Sequence, residues 1–443
     1  MEKPIIKFNP KLPKLKSSES QVLKLLIEAA KLVAPIYALQ ENHKYPGANF
    51  YPHEVSKREI EKASKKDPNI LSPYTVVENQ NGKLITIPYH IKYQQLLKPV
   101  AQKLIQAAKL TDSREFSKRL ILQANALLEG TYDEAVISWM SMEPYILDIN
   151  IGPVERYDDK LFFVKTAYQA WVGVMDEDNT KKVNEYKKLI FNARRKALMP
   201  SEKVDYYDKV QARVDDLIIF SGLISRTKFV GVNLPNDPAL MEKYGSEIAI
   251  FKQVNEQRFR KSILPAFNKI FSTSFKKQFS FQELEDGSLY TIVLHELAHT
   301  YLRYRNSEKN LNDLFPIIDE LAASVMGIKV CGTLLLKDVA TPKQLESMML
   351  SFMARSFDLI LNKKDDRSIQ HYTIGGAIFI NYLFESGAVL ESQGVSWPNF
   401  TKMFFALSEL GSILERLLSS GTRADAEAFI KQYSDMKSLQ RFK

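Results

Sequence analysis

Apolar residues recur at three- and four-residue intervals through most of the chain, the spacing that lines one face of an α-helix. In "SSESQVLKLLIEAAKLVAPIYAL" the leading serines supply N-caps, and the repeat predicts a helix that breaks at Pro35. "YHIKYQQLLKPVAQKLIQAAKL" and "SREFSKRLILQANALLEG" carry the same period. Between the first helix and these two, "SPYTVVENQNGKLITIPY" changes to β-rich runs flanking Asn81-Gly82, a dipeptide that suits a two-residue hairpin turn. "YILDINIGPVERY" (Tyr145 to Tyr157) alternates at Ile149, Ile151 and, past Gly152, Val154, which predicts a second extended segment. "TKFVGVNLPND" predicts a third, ending in a turn at Pro235-Asn236-Asp237. From there to the C-terminus the pattern reads as almost wholly helical. The expected fold class is mainly α with a small β portion (α+β). A mixed N-terminal lobe would cover residues 1–225 and a mainly helical one residues 226–443, with a soft boundary between 200 and 240.

A chain of 443 residues can bury a core large enough for two or three domains, and 45% apolar with 26% charged residues is a globular composition. The apolar stretch "GGAIFINYLF" is about half the length a membrane span needs, so no membrane association is expected. "MEKPIIKFNPKLPKLK" lacks the continuous apolar core of a secretory signal, which predicts a cytoplasmic protein unless an export signal has been trimmed. The excess of 61 basic over 52 acidic residues is dispersed: in "SKREIEKASKKD" and "NEYKKLIFNARRK" each lysine stands near an acid, as on a solvated helix face. A nucleic-acid partner would call for a concentrated basic stripe with aromatics, and none is present. The single cysteine, Cys331, excludes an internal disulfide and sits in an apolar helical pattern, where a buried, inert thiol is expected.

The concentrated chemistry lies in "TIVLHELAHTYLRY". His295-Glu296-Leu297-Ala298-His299 sets two histidines four apart, on one face of a helix, where both can reach one metal ion. Glu296 separates a hydrolase from a structural site, which has no use for a carboxylate there; a hydrolase needs it to take the proton of an activated water. Leu302 and Arg305 exclude the extended pattern with a third histidine. The remaining common ligand is a carboxylate from a following helix, and "FPIIDELAASVMGIKV" offers Glu320. Ala323, Ser324 and Gly327 would let that helix pack closely on the first. Glu308 and Asp313 lie in the polar connection, where carboxylates are usually solvated, and Asp319 is placed to orient a histidine.

With these residues placed, the chain resembles the dipeptidyl-peptidase III family of zinc metallopeptidases, and most closely its shorter bacterial members. "SPYTVVENQNGKLITIPY", "DINIGPVERYDDKLF", "GVNLPND", "LHELAHT", "DELAASVMG" and "IQHYTIGGAIFINYLFESGA" follow the family's order. The resemblance implies a helical zinc-binding lobe and a mixed lobe around a cleft, acting on short peptides as a monomer or weak dimer. It implies one zinc ion held by His295, His299 and Glu320, with Glu296 as general base. Asn233 and Asn236 match asparagines that hold the substrate's N-terminal end, Asp148 an acid for its α-amino group, and His371 a histidine that stabilises the transition state. Three positions depart from the family. The two histidines have regular spacing, where longer members insert a residue. Asn150 replaces a catalytic tyrosine, leaving an amide to donate to a developing oxyanion, and Ser324 replaces an acid that follows the ligand glutamate. Tyr157 is a further candidate for transition-state stabilisation.

Two functions follow as expectations. The first is a zinc-dependent exopeptidase releasing dipeptides from the N-termini of short peptides. The alternative is a weak or inactive member that binds peptides or a protein partner in the same cleft. Asn150 and Ser324 motivate the alternative, and the retained Glu296 opposes it.

Overall fold

The computed structural model describes residues 3–194, 209–362 and 369–442. The chain forms two compact units. The first comprises Met1–Thr180, Arg213–Phe229 and Leu234–Glu247; the second comprises Lys181–Ala212, Val230–Asn233 and Ile248–Lys443. A single cut near residue 225 therefore does not separate them, and residues 200–208 of the expected boundary window lie outside the described residues. Tyr186 explains why helix Glu177–Arg194 belongs largely with the second unit. Its ring meets that of Tyr290 edge-on at 5.7 Å, and its hydroxyl accepts from Gln344 Nε2 at 3.0 Å.

In the first unit, β1 (Ile5–Lys7), β4 (Leu147–Glu155), β5 (Ala167–Met175) and β6 (Gln211–Gly222) form an antiparallel array in the order β1-β6-β5-β4. Helices α1 (Ser17–Gln40) and α2 (Gln94–Leu110) pack together, α1 also covers β5, and α3 (Arg114–Glu129) packs on α2. Tyr37, Phe50, Leu104, Phe116, Tyr168 and Val172 fill the core between them. The hairpin β2 (Thr75–Gln80) to β3 (Lys83–Pro88) turns at Asn81 and Gly82, both at positive φ (53° and 81°), as the dipeptide demands.

Helix α1 runs through Pro35 instead of breaking there. Proline removes one backbone hydrogen bond, but the turn beyond it is held from outside. Ile36, Tyr37 and Gln40 are fully buried, the Tyr37 hydroxyl donates to Asp158, and Gln40 Oε1 accepts from the Tyr168 amide at 2.7 Å. Strands β5 and β6 carry no alternation visible in sequence, because both of their faces are covered and nearly every residue is buried. Such runs cannot be told from buried helix by periodicity alone.

The second unit contains the short strands β7 (Gly231–Leu234) and β8 (Glu247–Phe251), which are neighbours, and, besides Glu177–Arg194, the long helices α4 (Phe281–Tyr301), α5 (Phe315–Leu335), α6 (Pro342–Asn362), α7 (Gln370–Glu385) and α8 (Phe400–Ser420). The expectation of helix from residue 238 onward is corrected by β8 and by the hairpin β9 (Val389–Ser392) to β10 (Val395–Pro398). Each is four or five residues long, too short to show a period. Helix α4 packs on α5 and α6, α5 on α7 and α8, and α6 on α7. A capping box fixes the start of α4: the Ser280 hydroxyl accepts from the Glu283 amide and the Glu283 carboxylate from the Ser280 amide. Glycines set the closest approaches. A Cβ at Gly287 would lie 2.6 Å from Ser347 on α6, and one at Gly327 would lie 3.1 Å from the Leu294 carbonyl carbon. Among the described residues no helix is long and apolar enough to cross a membrane.

Candidate metal centre

Helix α4 presents His295 and His299 one turn apart, and α5 brings Glu320 against them. One ligand atom from each of the three lies within 4.8 Å of the other two. The Nε2 atoms of the histidines are 3.1 Å apart; Glu320 Oε2 is 3.2 Å from that of His295 and 3.7 Å from that of His299. The small residues of α5 permit this, since Gly327 passes the backbone of Leu294 and His295 with no side chain between.

The outer nitrogens fix the tautomers. Ser324 Oγ donates to the Glu320 carbonyl at 3.1 Å, so toward His295 Nδ1, 3.0 Å away, it acts as acceptor. Asp319 Oδ2 stands 3.2 Å from His299 Nδ1 and can only accept from it. Each Nδ1 therefore carries its proton outward and each Nε2 turns a lone pair inward. Two lone pairs and a carboxylate oxygen converging over this distance repel one another unless a positive charge, a proton or a metal ion, lies between them. Residues and geometry fit a metal ion, and the nitrogen and oxygen donors suit a borderline ion such as zinc. Protonation shifts report the same field. Burial works against a charged His299, yet Asp319 and Glu320 outweigh it and hold the imidazole well above its ordinary range. Burial favours a neutral Glu320, yet the two imidazoles hold it well below.

Glu296 is half-buried on α4, one residue along from the first histidine. Gly231 on β7 leaves room beside it: a Cβ there would sit 3.3 Å from Glu296 Oε1. His371, in the first turn of α7, lies close enough to feel the metal-site carboxylate. Burial lowers its pKa and the charge of Glu320 partly restores it, while Arg355 lowers it further. Asn233 belongs to the same unit, and its Oδ1 is buried with no donor. Asp313 is exposed and pairs with Arg423 at 2.8 Å, and Glu308 is exposed too, so neither competes as a ligand. Burial pushes the Cys331 thiol up to about 12, which makes it inert.

No protein-family model matches the chain. Its backbone superimposes on that of DPP III from Caldithrix abyssi with a TM-score of 0.86, covering 97% of this chain and 92% of that one at 22% identity. A second solved structure, dipeptidyl-peptidase III from Corallococcus sp. strain EGB, gives 0.80 over 99% and 92%, also at 22% identity. The chain has the dipeptidyl-peptidase III fold. It is also 27% identical over 469 aligned positions to Nudix hydrolase 3 of Arabidopsis thaliana. That alignment covers 94% of this chain and 58% of the plant protein, so the chain spans little more than half of that relative.

Within this dipeptidyl-peptidase III fold the remaining expected site residues, Asp148, Asn150, Asn236 and Tyr157, fall in the first unit. Asp148 is fully buried: Oδ1 accepts from Arg119 at 2.8 Å and Oδ2 from Trp171 Nε1 at 3.0 Å. Burial works to raise its pKa, and the guanidiniums of Arg119 and Arg213 more than reverse that. Asn150 and Asn236 line one cavity of about 230 Å³, and the Asn150 Oδ1 there has no donor. Asn236 Nδ2 donates to Glu155 Oε2 at 2.8 Å. Tyr157 is half exposed and its ring packs on Phe229 at 5.1 Å. Sequence reasoning passed over Trp139, which also lines that cavity, and Glu155, which holds the Asn236 amide. The only signal was the place of Glu155 at the end of the "IGPVE" strand, beyond the bulge that shifts its register.

Proposed function

We propose that the chain is a zinc-dependent metallopeptidase that releases dipeptides from the N-termini of short peptides. The observation that carries this reading is the convergence of His295, His299 and Glu320, beside a glutamate that no structural site requires. The three residues would hold one zinc ion, with Ser324 and Asp319 aiming the histidines. Zinc, when bound, supplies Lewis-acid charge that acidifies water and polarises a carbonyl.

Glu296 takes a proton from the attacking water as its oxygen bonds to the scissile carbonyl carbon. It then delivers that proton to the amide nitrogen as the C–N bond breaks, so the amine leaves neutral and a carboxylic acid remains. Gly231 keeps its own side of the Glu296 carboxylate free of a side chain. His371, half-buried and held below its ordinary pKa, is neutral near pH 7 and can donate a hydrogen bond to the oxyanion. Asn233 and Asn236 are assigned to the substrate's N-terminal end by their place in "NLPN".

The reading of a peptide binder without turnover rested on Asn150 and Ser324. Ser324 no longer supports it, because its hydroxyl holds His295 in the tautomer a ligand needs. The test is a pool of peptides of differing length, incubated with zinc-loaded protein and with Glu296→Gln. Cleavage is expected only with the unaltered protein, while both retain one zinc per chain. Equal cleavage by both would remove Glu296 from the mechanism and the proposal with it.

A further inference from the structure

The second unit holds a cavity of about 450 Å³ whose lining contains none of the residues placed at the metal centre. It is walled by helix Glu177–Arg194, the first half of α4 and the start of α6. The volume falls within the ~300–1,000 Å³ of small-ligand sites. Gly287 of the lining precedes His295 by eight residues on α4, about 12 Å of helix. Two charged groups of the lining are already engaged. Lys343 pairs with Glu346 at 3.1 Å and lies 3.9 Å from the Phe279 ring centroid, and the Glu283 carboxylate closes the capping box of α4. Three others are not. Lys182 and Glu185 stand three apart on one helix, where opposite charges can meet, yet among the described residues neither forms an ion pair. Asp286 accepts one bond, from Gln282 at 2.9 Å, and has no cationic partner among them.

Uncharged groups of the same lining also point to an occupant. Ser347 is fully buried, and its Oγ has no hydrogen-bond partner. The wall carries the buried rings of Tyr186 and Tyr290, edge-on at 5.7 Å. The Tyr186 hydroxyl accepts from Gln344 at 3.0 Å; burial pushes its pKa up to about 12, so it keeps a proton to donate, and Lys182 is close enough to oppose that rise. Lys182 with the Tyr186 hydroxyl suits a carboxylate, Glu185 with Asp286 suits an ammonium, and the tyrosine rings suit an apolar side chain. A phosphate would meet two unneutralised carboxylates, and a simple organic cation would meet Lys182. A molecule with both charges meets neither objection.

We propose that this cavity binds a small zwitterion, a free α-amino acid or a dipeptide, with its carboxylate on Lys182 and Tyr186 and its ammonium on Glu185 and Asp286. The binding requires neither zinc nor turnover, so it stands or falls apart from the peptidase reading.

Calorimetry on the zinc-loaded full chain tests it with L-phenylalanine, phenylalanine amide, N-acetyl-phenylalanine and the dipeptide alanyl-phenylalanine. Phenylalanine is expected to bind about tenfold or more tightly than either blocked derivative. Lys182→Ala should remove most of the advantage over the amide and leave the affinity of the amide itself unchanged. Glu185→Gln combined with Asp286→Asn should remove most of the advantage over the N-acetyl derivative and leave that derivative unchanged. The crossed pattern separates this cavity from any other place where a zwitterion binds, the metal centre included. Tighter binding of phenylalanine than of the dipeptide would support the proposal as an amino-acid site, and the reverse order would support it as a dipeptide site. Advantages that survive both sets of substitutions in folded protein would overturn it, as would the absence of saturable binding of phenylalanine and of the dipeptide to the unaltered chain.

Discussion

Ser324 and Asp319 touch neither substrate nor, on this account, the metal, yet each fixes one histidine tautomer. Replacing such partners typically costs 10- to 100-fold in metal affinity, so Ser324→Ala and Asp319→Asn should each weaken zinc binding by roughly that factor. Competition with a chromogenic chelator measures it; unchanged affinity would show that the two outer bonds are incidental. Glu155 yields a prediction in pH. Its folded pKa, about 7, lies above its unfolded value near 4.3, so its contribution to stability is full below pH 4 and lost as pH rises to about 7. Glutamine removes that loss. The melting temperature of Glu155→Gln should therefore gain on the parent between pH 5 and pH 8, and a difference that does not change with pH would contradict the assignment. At this scale the sequence was legible where spacing alone decides proximity, as in His295 and His299. It was illegible at Asp148, whose partners Arg119 and Trp171 are 29 and 23 residues away along the chain.

Glycines set how closely α4 meets α5 and α6, and the space around each grades what the position tolerates. Gly287→Ala would push a methyl to 2.6 Å from backbone and side-chain atoms of Ser347, overpacking that typically costs 1–3 kcal/mol. At Gly375 the nearest atom is 3.5 Å away, ordinary contact, and alanine there should be neutral or stabilising by up to about 1 kcal/mol through helix propensity. Thermal melts of the two variants should move apart; similar shifts would mean that helix spacing is not set by these glycines. Helices announced themselves in sequence because a half-buried helix must alternate its faces. Strands β5 and β6 did not, being covered on both sides, and Pro35 misled because tertiary bonds from Tyr37 and Gln40 outweigh one lost backbone bond. The Asn81-Gly82 hairpin was read correctly, since its turn depends on two residues and on nothing distant.

Across the whole molecule, the six ordered sequence blocks pointed to the fold that the two superimposed structures display. What they could not reveal is how often the chain passes between its two compact units, because contacts such as Tyr186 with Tyr290 are made between residues about a hundred positions apart. The proposed reaction also belongs to this scale, because it asks the metal centre to cut at a fixed number of residues from a peptide's amino end. Its most direct test is a mass-spectrometric time course of one decapeptide with a free amino end, incubated with zinc-loaded protein. The account predicts fragments of eight, then six, then four residues, with matching dipeptides and none from the acetylated decapeptide. Fragments cut at internal bonds, or equal cleavage of the acetylated peptide, would contradict it.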